Sequence, residues 1–287
     1  MLFKGSLTKS QFIFTRVVLY ITLIIIIIPI LWIFSVSLKR PGEMHLSYFF
    51  FFPRHISFEN YLDAPRYIFE FLDISVPRMF LNSIIVTSSS IIIAVIIASL
   101  AGFAFSNYVF KGREWLFTLI IAVLIIPKYG LVIPLYLQFN QLHLLNTYFS
   151  LIFIYVTFNL PLSIFILRGF FEQVPLELRD AAKIDGASDF YYFTRIVLPL
   201  SRAGIATVSI FSFLEFWNEF LFAFLFIRDY EMQTIPAVLA RMGGGRVPIP
   251  LGIYTATIMI IIIPVMIIFA IFQKWFIKGL SEGAIKG

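Results

Sequence analysis

No cysteine occurs among the 287 residues, so a disulfide framework and a thiolate metal site are both excluded. Charge is nearly as scarce: Lys, Arg, Asp and Glu make up 13% of the chain, about half the share usual in soluble domains. There is no G-x-x-x-x-G-K-[ST] run. The glycine-rich MGGGRV around Gly243 to Gly245 lacks the lysine and hydroxyl that a phosphate cradle needs, which leaves an external turn. No G-x-S-x-G elbow is present and no aspartate falls inside the long apolar runs. His45, His55 and His143 sit in connecting segments without cysteine or spaced carboxylates nearby, so no metal site is expected. An intramembrane enzyme, the rival that these absences test, finds no nucleophile and base to work with.

What is abundant is apolar. Hydrophobic residues make up 60% of the chain, 35 of them Phe, and the mean hydropathy is +0.93. Such a chain is an integral membrane protein. The net charge of +6 would suggest nucleic acid in a soluble protein; here the excess of positive residues on inner loops accounts for it, and no nucleic-acid partner is expected.

Crossing about 30 Å of hydrocarbon takes roughly 20 apolar residues in a helix. Six segments come near that length: 15–38, 81–105, 115–136, 148–168, 203–227 and 251–274. Lipid offers no partners for unpaired backbone groups, and runs this long and uniformly apolar do not suit barrel strands. The expected fold class is therefore all-α and polytopic, with six transmembrane helices in one domain over 1–287. The first run, from about Val17 to Ser37, is too long for a signal-peptide core and has no small-residue cleavage site behind it, which predicts a retained anchor. With the N-terminus inside, thirteen of the 22 Lys and Arg fall in inner segments and nine in outer ones, a bias that favours an N-in, C-in topology. Pro29, Pro127, Pro134, Pro161, Pro199 and Pro264 lie in or beside apolar runs, where each removes a helix donor and predicts a kink. An ion-coupled secondary transporter should show inverted halves with matched broken helices, and no internal repeat is visible.

One polar island breaks this pattern, the stretch DAAKIDGASDFYYFTRIVLPL from Asp180 to Leu200. Pro175 suits the first turn of a helix, Glu177 suits its positive end, and the helix should run to about Ile184. Gly186 can take the left-handed conformation that ends it, and Ser188 is a good cap for a second helix through Phe190, Phe193 and Ile196. On the first helix Leu178, Ala181, Ala182 and Asp185 share a face, with two alanines that permit close approach of another surface and with Arg179, Lys183 and Glu177 beside it. A docking helix and a solvated loop helix both fit that description.

The run PLELRDAAKIDGASDFYYFTRIVLPL resembles the coupling (EAA) loop of binding-protein-dependent ABC importer permeases, in particular the carbohydrate-uptake group. Asp180, Ala181, Ala182, Asp185, Gly186, Ala187, Ile196, Leu198 and Pro199 fall in register with that motif. Asp180 replaces the usual Glu, and Ala203 stands where many relatives carry a second Pro. PILWIFSVSLK, LNSIIVTSSS, IIPKYGLVIPLY, LRGFFEQVPLELRDAA, FWNEF and FQKWFIKGLSEGAIKG resemble the same group in the same order, over nearly the whole chain. The resemblance implies a six-helix, MetI-like permease fold in a prokaryotic cytoplasmic membrane, with a coupling loop at about 169–202. It implies a chain without catalysis or cofactor of its own that imports an oligosaccharide or related polyol by alternating access. The implied partners are a second permease subunit, two ATPase subunits that bind ATP-Mg, and an extracytoplasmic solute-binding protein. By the same resemblance Glu177, Asp180, Ala181, Ala182, Asp185 and Gly186 are the ATPase-coupling residues.

FSFLEFWNEFLFAFLF in the fifth segment places Glu215 and Glu219 one helical turn apart, with Trp217 and Asn218 between them. A charge in the middle of a span costs about 2.5–3.5 kcal/mol on insertion scales, so both carboxylates should face away from lipid. Three roles fit: pairing with polar groups of a partner permease or at the outer interface, lining the translocation path where a sugar would be hydrogen-bonded and stacked, or proton relay. The external segment 39–79 is too polar to span and too aromatic for a free linker; it suits either the membrane interface or contact with a solute-binding protein. The basic tail KWFIKGLSEGAIKG is either a cytoplasmic extension towards the ATPases or a membrane anchor.

Overall fold

The computed structural model describes residues 9–40, 43, 51–244 and 249–284, with side chains described as far as Ile267. His45, Gly245 and the side chains of the tail KWFIKGLSEGAIKG lie outside the described residues. Among the described residues the regular structure is helical throughout. The described residues group into two compact units, one formed by those up to 71 with those of 242–265, and the other by 72–241 with those from 266 onward.

In the first unit, Lys9–Ser37 is one uninterrupted helix. Its most apolar stretch is exposed along its whole length, as expected of a helix that rests in lipid. The Glu59–Leu72 helix is fixed to its C-terminal end by polar bonds: Asn60 Nδ2 donates to the Ser37 carbonyl at 2.9 Å and to the Lys39 carbonyl at 2.7 Å. These are orphan carbonyls of a helix terminus, and the buried amide satisfies them. Asn60, Ala64 and Ile68 form the buried stripe of that helix, while Glu59, Asp63, Arg66 and Glu70 lie on an exposed edge. Ala64 packs with Ile253 and Ala256 of the Leu251–Ala284 helix.

The second unit is organised by two long helices, Val76–Asn107 and Tyr148–Phe171. They run side by side in the same direction. Near their N-termini the Tyr148 hydroxyl donates to Asn82 Oδ1 at 2.7 Å; near their C-termini a Cβ on Gly102 would lie 3.2 Å from Leu167 Cβ and the Arg168 nitrogen. Small buried residues on the first of them, Ser83, Ser90, Ala94, Ala98 and Gly102, permit this approach, the usual device for helix packing where lipid supplies no hydrophobic contrast. The Arg202–Trp217 helix packs against both.

Two of the six expected spans are not continuous helices. The third breaks at Pro127, where Arg113–Ile125 and Lys128–Gln141 meet at 84°. The fifth ends as a helix at Trp217 and resumes at Leu221–Phe226. Pro127 has no donor for the preceding turn, and the fifth-segment break has a different cause, described below. Among the described residues three helices are long and apolar enough to cross a membrane unaided, and the two bent pairs Arg113–Gln141 and Asp189–Trp217 reach that length only when each is taken whole. Leu251–Ile267 is a further apolar helix.

At the end of the long helix pair that bears Asn82 and Tyr148, Asn146 adopts the left-handed conformation, φ +60°. Its N–H donates to the Phe226 carbonyl at 2.8 Å, and its Oδ1 accepts from the backbone of Arg228 at 2.9 Å and Asp229 at 2.8 Å. Asn146→Ala removes the acceptor and places a residue that dislikes this conformation there. A loss of about 1–3 kcal/mol is expected, measured as a lower unfolding temperature of the purified transporter; an unchanged temperature would refute the capping role.

Candidate functional site

The polar island folds as helix, glycine turn, helix. The first helix, Leu176–Ile184, starts one residue later than a first-turn proline would require: Pro175 (ψ 133°) stands at the position before it, with no side-chain bond to the helix end. Gly186, at φ +75°, closes it with two bonds, Gly186 N–H to the Lys183 carbonyl at 3.0 Å and Ala187 N–H to the Ala182 carbonyl at 2.9 Å. This paired cap satisfies two orphan carbonyls and needs a left-handed residue at the turn. Ser188 caps the next helix by accepting from the Tyr191 N–H at 3.2 Å. That helix, Asp189–Leu200, widens to a π turn over Phe193–Val197, which makes room for Pro199, whose ring crowds the preceding turn and which has no N–H to give it. The chain then bends by 75° into Arg202–Trp217.

Of the face expected on the first helix, Leu178, Ala181 and Asp185 are exposed and Ala182 is not. Ala182 is turned inward and packs with Phe171, Val174 and Tyr192. The outward stripe is Glu177, Asp180, Ala181 and Ile184, all exposed, at the i, i+3, i+4, i+7 spacing of one helical face. Ile184 is 86% exposed, an apolar knob at the C-terminal end of this stripe. It lies inside the polar island, yet spacing alone did not single it out, because only the burial of Ala182 reveals which way the helix is rolled.

Arg179, beside Ala182, reaches inward. Its Nη1 donates to the Asn107 carbonyl at 2.5 Å, its guanidinium lies 5.3 Å from the centre of the Tyr108 ring, and Nη2 is 3.9 Å from Asp189 Oδ1. Tyr108 donates its hydroxyl to Asp189 Oδ2 at 2.9 Å. Burial, with the Asp189 carboxylate beside it, raises the Tyr108 hydroxyl above its ordinary range, so it remains a donor at neutral pH.

The second cluster lies among the spans. Glu215 accepts from Lys128 Nζ at 2.6 Å and from Asn159 Nδ2 at 3.0 Å. Asn159 in turn accepts from Ser163 at 2.6 Å and Ser212 at 2.9 Å. Glu219 is 5% exposed and does not continue the helix of Glu215. It lies past the helix end, where Oε1 accepts from the Phe222 N–H at 3.0 Å, Oε2 from the Ala223 N–H at 3.3 Å, and Oε2 also from the Tyr155 hydroxyl at 2.8 Å. The carboxylate thus caps the Leu221–Phe226 helix, which explains the break in the fifth segment. Trp217 stacks on Phe213 with centroids 5.5 Å apart, and the exposed Asn218 turns its amide back to the Leu214 carbonyl at 2.7 Å. A cavity with about 10 Å³ of room for the centre of a water molecule opens beside Lys128, Glu215, Glu219 and Tyr155, enough for one water. Lys128, Tyr155 and Asn159 were not singled out from sequence; a lone lysine in an apolar run beside Pro127 was itself a signal that a buried acid awaits it.

The family described as binding-protein-dependent transport system inner membrane component matches residues 90–282. The chain is 33% identical over 264 residues to the diacetylchitobiose uptake system permease protein NgcG of Streptomyces coelicolor, covering 92% of this chain and 85% of that one. It is 39% identical over 211 residues to the trehalose/maltose transport system permease protein MalG of Thermococcus litoralis, covering 74% and 76%. It is 33% identical over 261 residues to the melibiose/raffinose/stachyose import permease protein MelC of Bacillus subtilis, covering 91% of each. Its fold is that of a bacterial ABC transporter involved in the import of the acidic polysaccharide alginate, with a TM-score of 0.78 over 95% of this chain and 100% of that one at 23% identity. With the capped helix-turn-helix and the apolar helices already described, these likenesses place the chain in a family: it belongs to the binding-protein-dependent transport system inner membrane components, the multi-pass permease subunits of ABC importers in the cytoplasmic membrane.

Proposed function

We propose that this chain is one of two different permease subunits of an importer for an oligosaccharide or related polyol, driven by two ATPase subunits and fed by an extracytoplasmic solute-binding protein. Relatives named for diacetylchitobiose, trehalose and maltose, and melibiose, raffinose and stachyose support the substrate class. The chain crosses the membrane six times, N-in and C-in, with Arg113–Gln141 serving as the third crossing and Arg202–Trp217 with Leu221–Phe226 as the fifth. ATP-Mg is bound and hydrolysed on the ATPase partners, and this chain supplies no catalytic residue.

The observation that carries this reading is the Leu176–Ile184 helix with its outward stripe of Glu177, Asp180, Ala181 and Ile184. A short capped helix that buries little more than Ala182 of itself, and exposes an isoleucine at the end of a stripe with two acids, suits a cleft of another protein better than water. Asp185 and Gly186 fix the turn behind it. Closure of the ATPase pair would push this helix and rock the spans between inward-open and outward-open states. Along the path, Lys128 and Glu215 are each about a third exposed, at 27% and 31% of their side chains. A pair that is neither sealed nor able to face lipid cheaply belongs beside water, so we assign it to the wall of the translocation cavity, with Trp217 and Asn218 near it. Glu219 holds the wall together and does not face solute.

Because the chain has no cysteine, Ile184→Cys introduces a unique thiol. In the assembled transporter it is expected to crosslink to an ATPase subunit bearing a cysteine in its docking cleft, while Leu142→Cys, an exposed position by the Tyr148 end of the long helix pair, is not. Ile184→Asp is expected to lower uptake at least tenfold. Uptake that persists without any ATPase partner would sink this reading in favour of ion-coupled transport.

A further inference from the structure

The docking helix is attached to its own chain by very little. Among the described residues of Leu176–Ile184 only Ala182 is buried, and an alanine methyl offers too small a contact to transmit a push. The remaining inward side chain is Arg179. It meets two other elements at once: the last turn of the Val76–Asn107 span through the Asn107 carbonyl, and the start of the Asp189–Leu200 helix through Asp189. The Asn107 carbonyl is one of the orphan acceptors of a helix end, where a cation is favoured by the helix dipole. Tyr108 completes the joint. Its ring lies under the guanidinium and its hydroxyl holds Asp189, and it packs edge-on against Phe103, which in turn contacts Phe193 of the π turn at 4.8 Å.

We infer that Arg179 is a positioning residue that makes the docking helix and the end of the Val76–Asn107 span move as one body. This rests on the docking role proposed above and adds to it the route by which motion enters the membrane. A planar, forked guanidinium can hold a carbonyl and a carboxylate in fixed relation, whereas a lysine ammonium on a flexible stem cannot. Arg179→Lys should therefore restore only part of what Arg179→Ala loses.

The test uses the complete transporter in lipid nanodiscs, with spin labels on Val109→Cys beyond the span and Leu178→Cys on the docking helix. In the otherwise unaltered protein the distance between labels is expected to stay single and narrow whether nucleotide is absent or ATP and vanadate are added. With Arg179→Ala, ATP and vanadate are expected to bring out a second, longer distance, and Arg179→Lys a smaller fraction of it. If Arg179→Ala does not assemble, the double variant Tyr108→Phe, Asp189→Asn removes two sides of the joint and should show the same second distance. A distance unmoved in these variants, or one that already changes in the unaltered protein, overturns the inference. In either case the Ile184→Cys crosslink reports separately whether the docking role itself has failed.

Discussion

Gly186→Val is expected to abolish uptake by the assembled transporter while leaving the isolated ATPase subunits as active as before. Steric room is not the issue, since nothing lies within 4 Å of the position a Cβ would take. The cost is conformational. At φ +75° an L-residue pays about 1–2 kcal/mol, and a β-branched one more. Valine would escape by abandoning that conformation, which breaks the Gly186 to Lys183 and Ala187 to Ala182 bonds and unwinds the last turn. Ile184, the last residue of the outward stripe, sits in that turn. Because the cause is backbone conformation, Gly186→Asn should keep a substantial share of uptake, as asparagine tolerates the left-handed region, and Gly186→Ala should fall between. Wild-type uptake by the valine variant would tell against both the cap and the docking role.

The intramembrane pair gives the second large effect. Glu215→Gln or Lys128→Met alone leaves one charge uncompensated among the spans. Breaking a fully buried pair costs about 3–5 kcal/mol; here each side chain is about a third exposed, so roughly half of that is expected. Each single variant should reduce the amount of assembled transporter and its uptake. The double variant Lys128→Met, Glu215→Gln should recover assembly, because no lone charge remains, yet keep a poor KM for solute, because the polar wall is gone. Full recovery of uptake would make the pair purely structural and remove it from the path. Glu219 should behave differently. Glu219→Ala strands two helix N–H groups and the Tyr155 hydroxyl, at about 1–3 kcal/mol for each unsatisfied group. No change at Lys128 should rescue it, and assembly measured by gel filtration would expose a rescue.

Much of the coupling segment was legible because its instructions are local. A left-handed glycine, a serine cap and a helix-ending turn are read from residues within four positions of one another, and all three stand where spacing puts them. The shift of Pro175 from first turn to the position before it is a matter of one residue. The inward turn of Ala182 was not legible for a nonlocal reason: a helix of nine residues carries several plausible stripes, and the buried cluster of Ala182 with Phe171, Val174 and Tyr192 chooses among them.

The carboxylates of the fifth segment divide along the same line. Their cost in lipid was evident from their types and neighbours, and that cost required partners. Which partners could not be read from FWNEF, because Lys128, Tyr155 and Asn159 come from other segments, 87, 64 and 56 residues away. The i, i+4 spacing suggested one shared face; instead Glu219 stops its own helix and starts the next.

By itself, the sequence determined that this chain is an all-helical membrane protein and where its polar helix-turn-helix lies, since apolar run length, proline, glycine and caps act over a few residues; the importer permease family was legible through the resemblance of its ordered motifs. The tertiary structure alone decided which face of the Leu176–Ile184 helix is free, that Arg179 bonds it to the end of a span, and that Glu215 pairs with Lys128 while Glu219 caps a helix. Those outcomes depend on which groups meet across the bundle, and a buried charge takes the partner that three-dimensional packing brings within 3 Å.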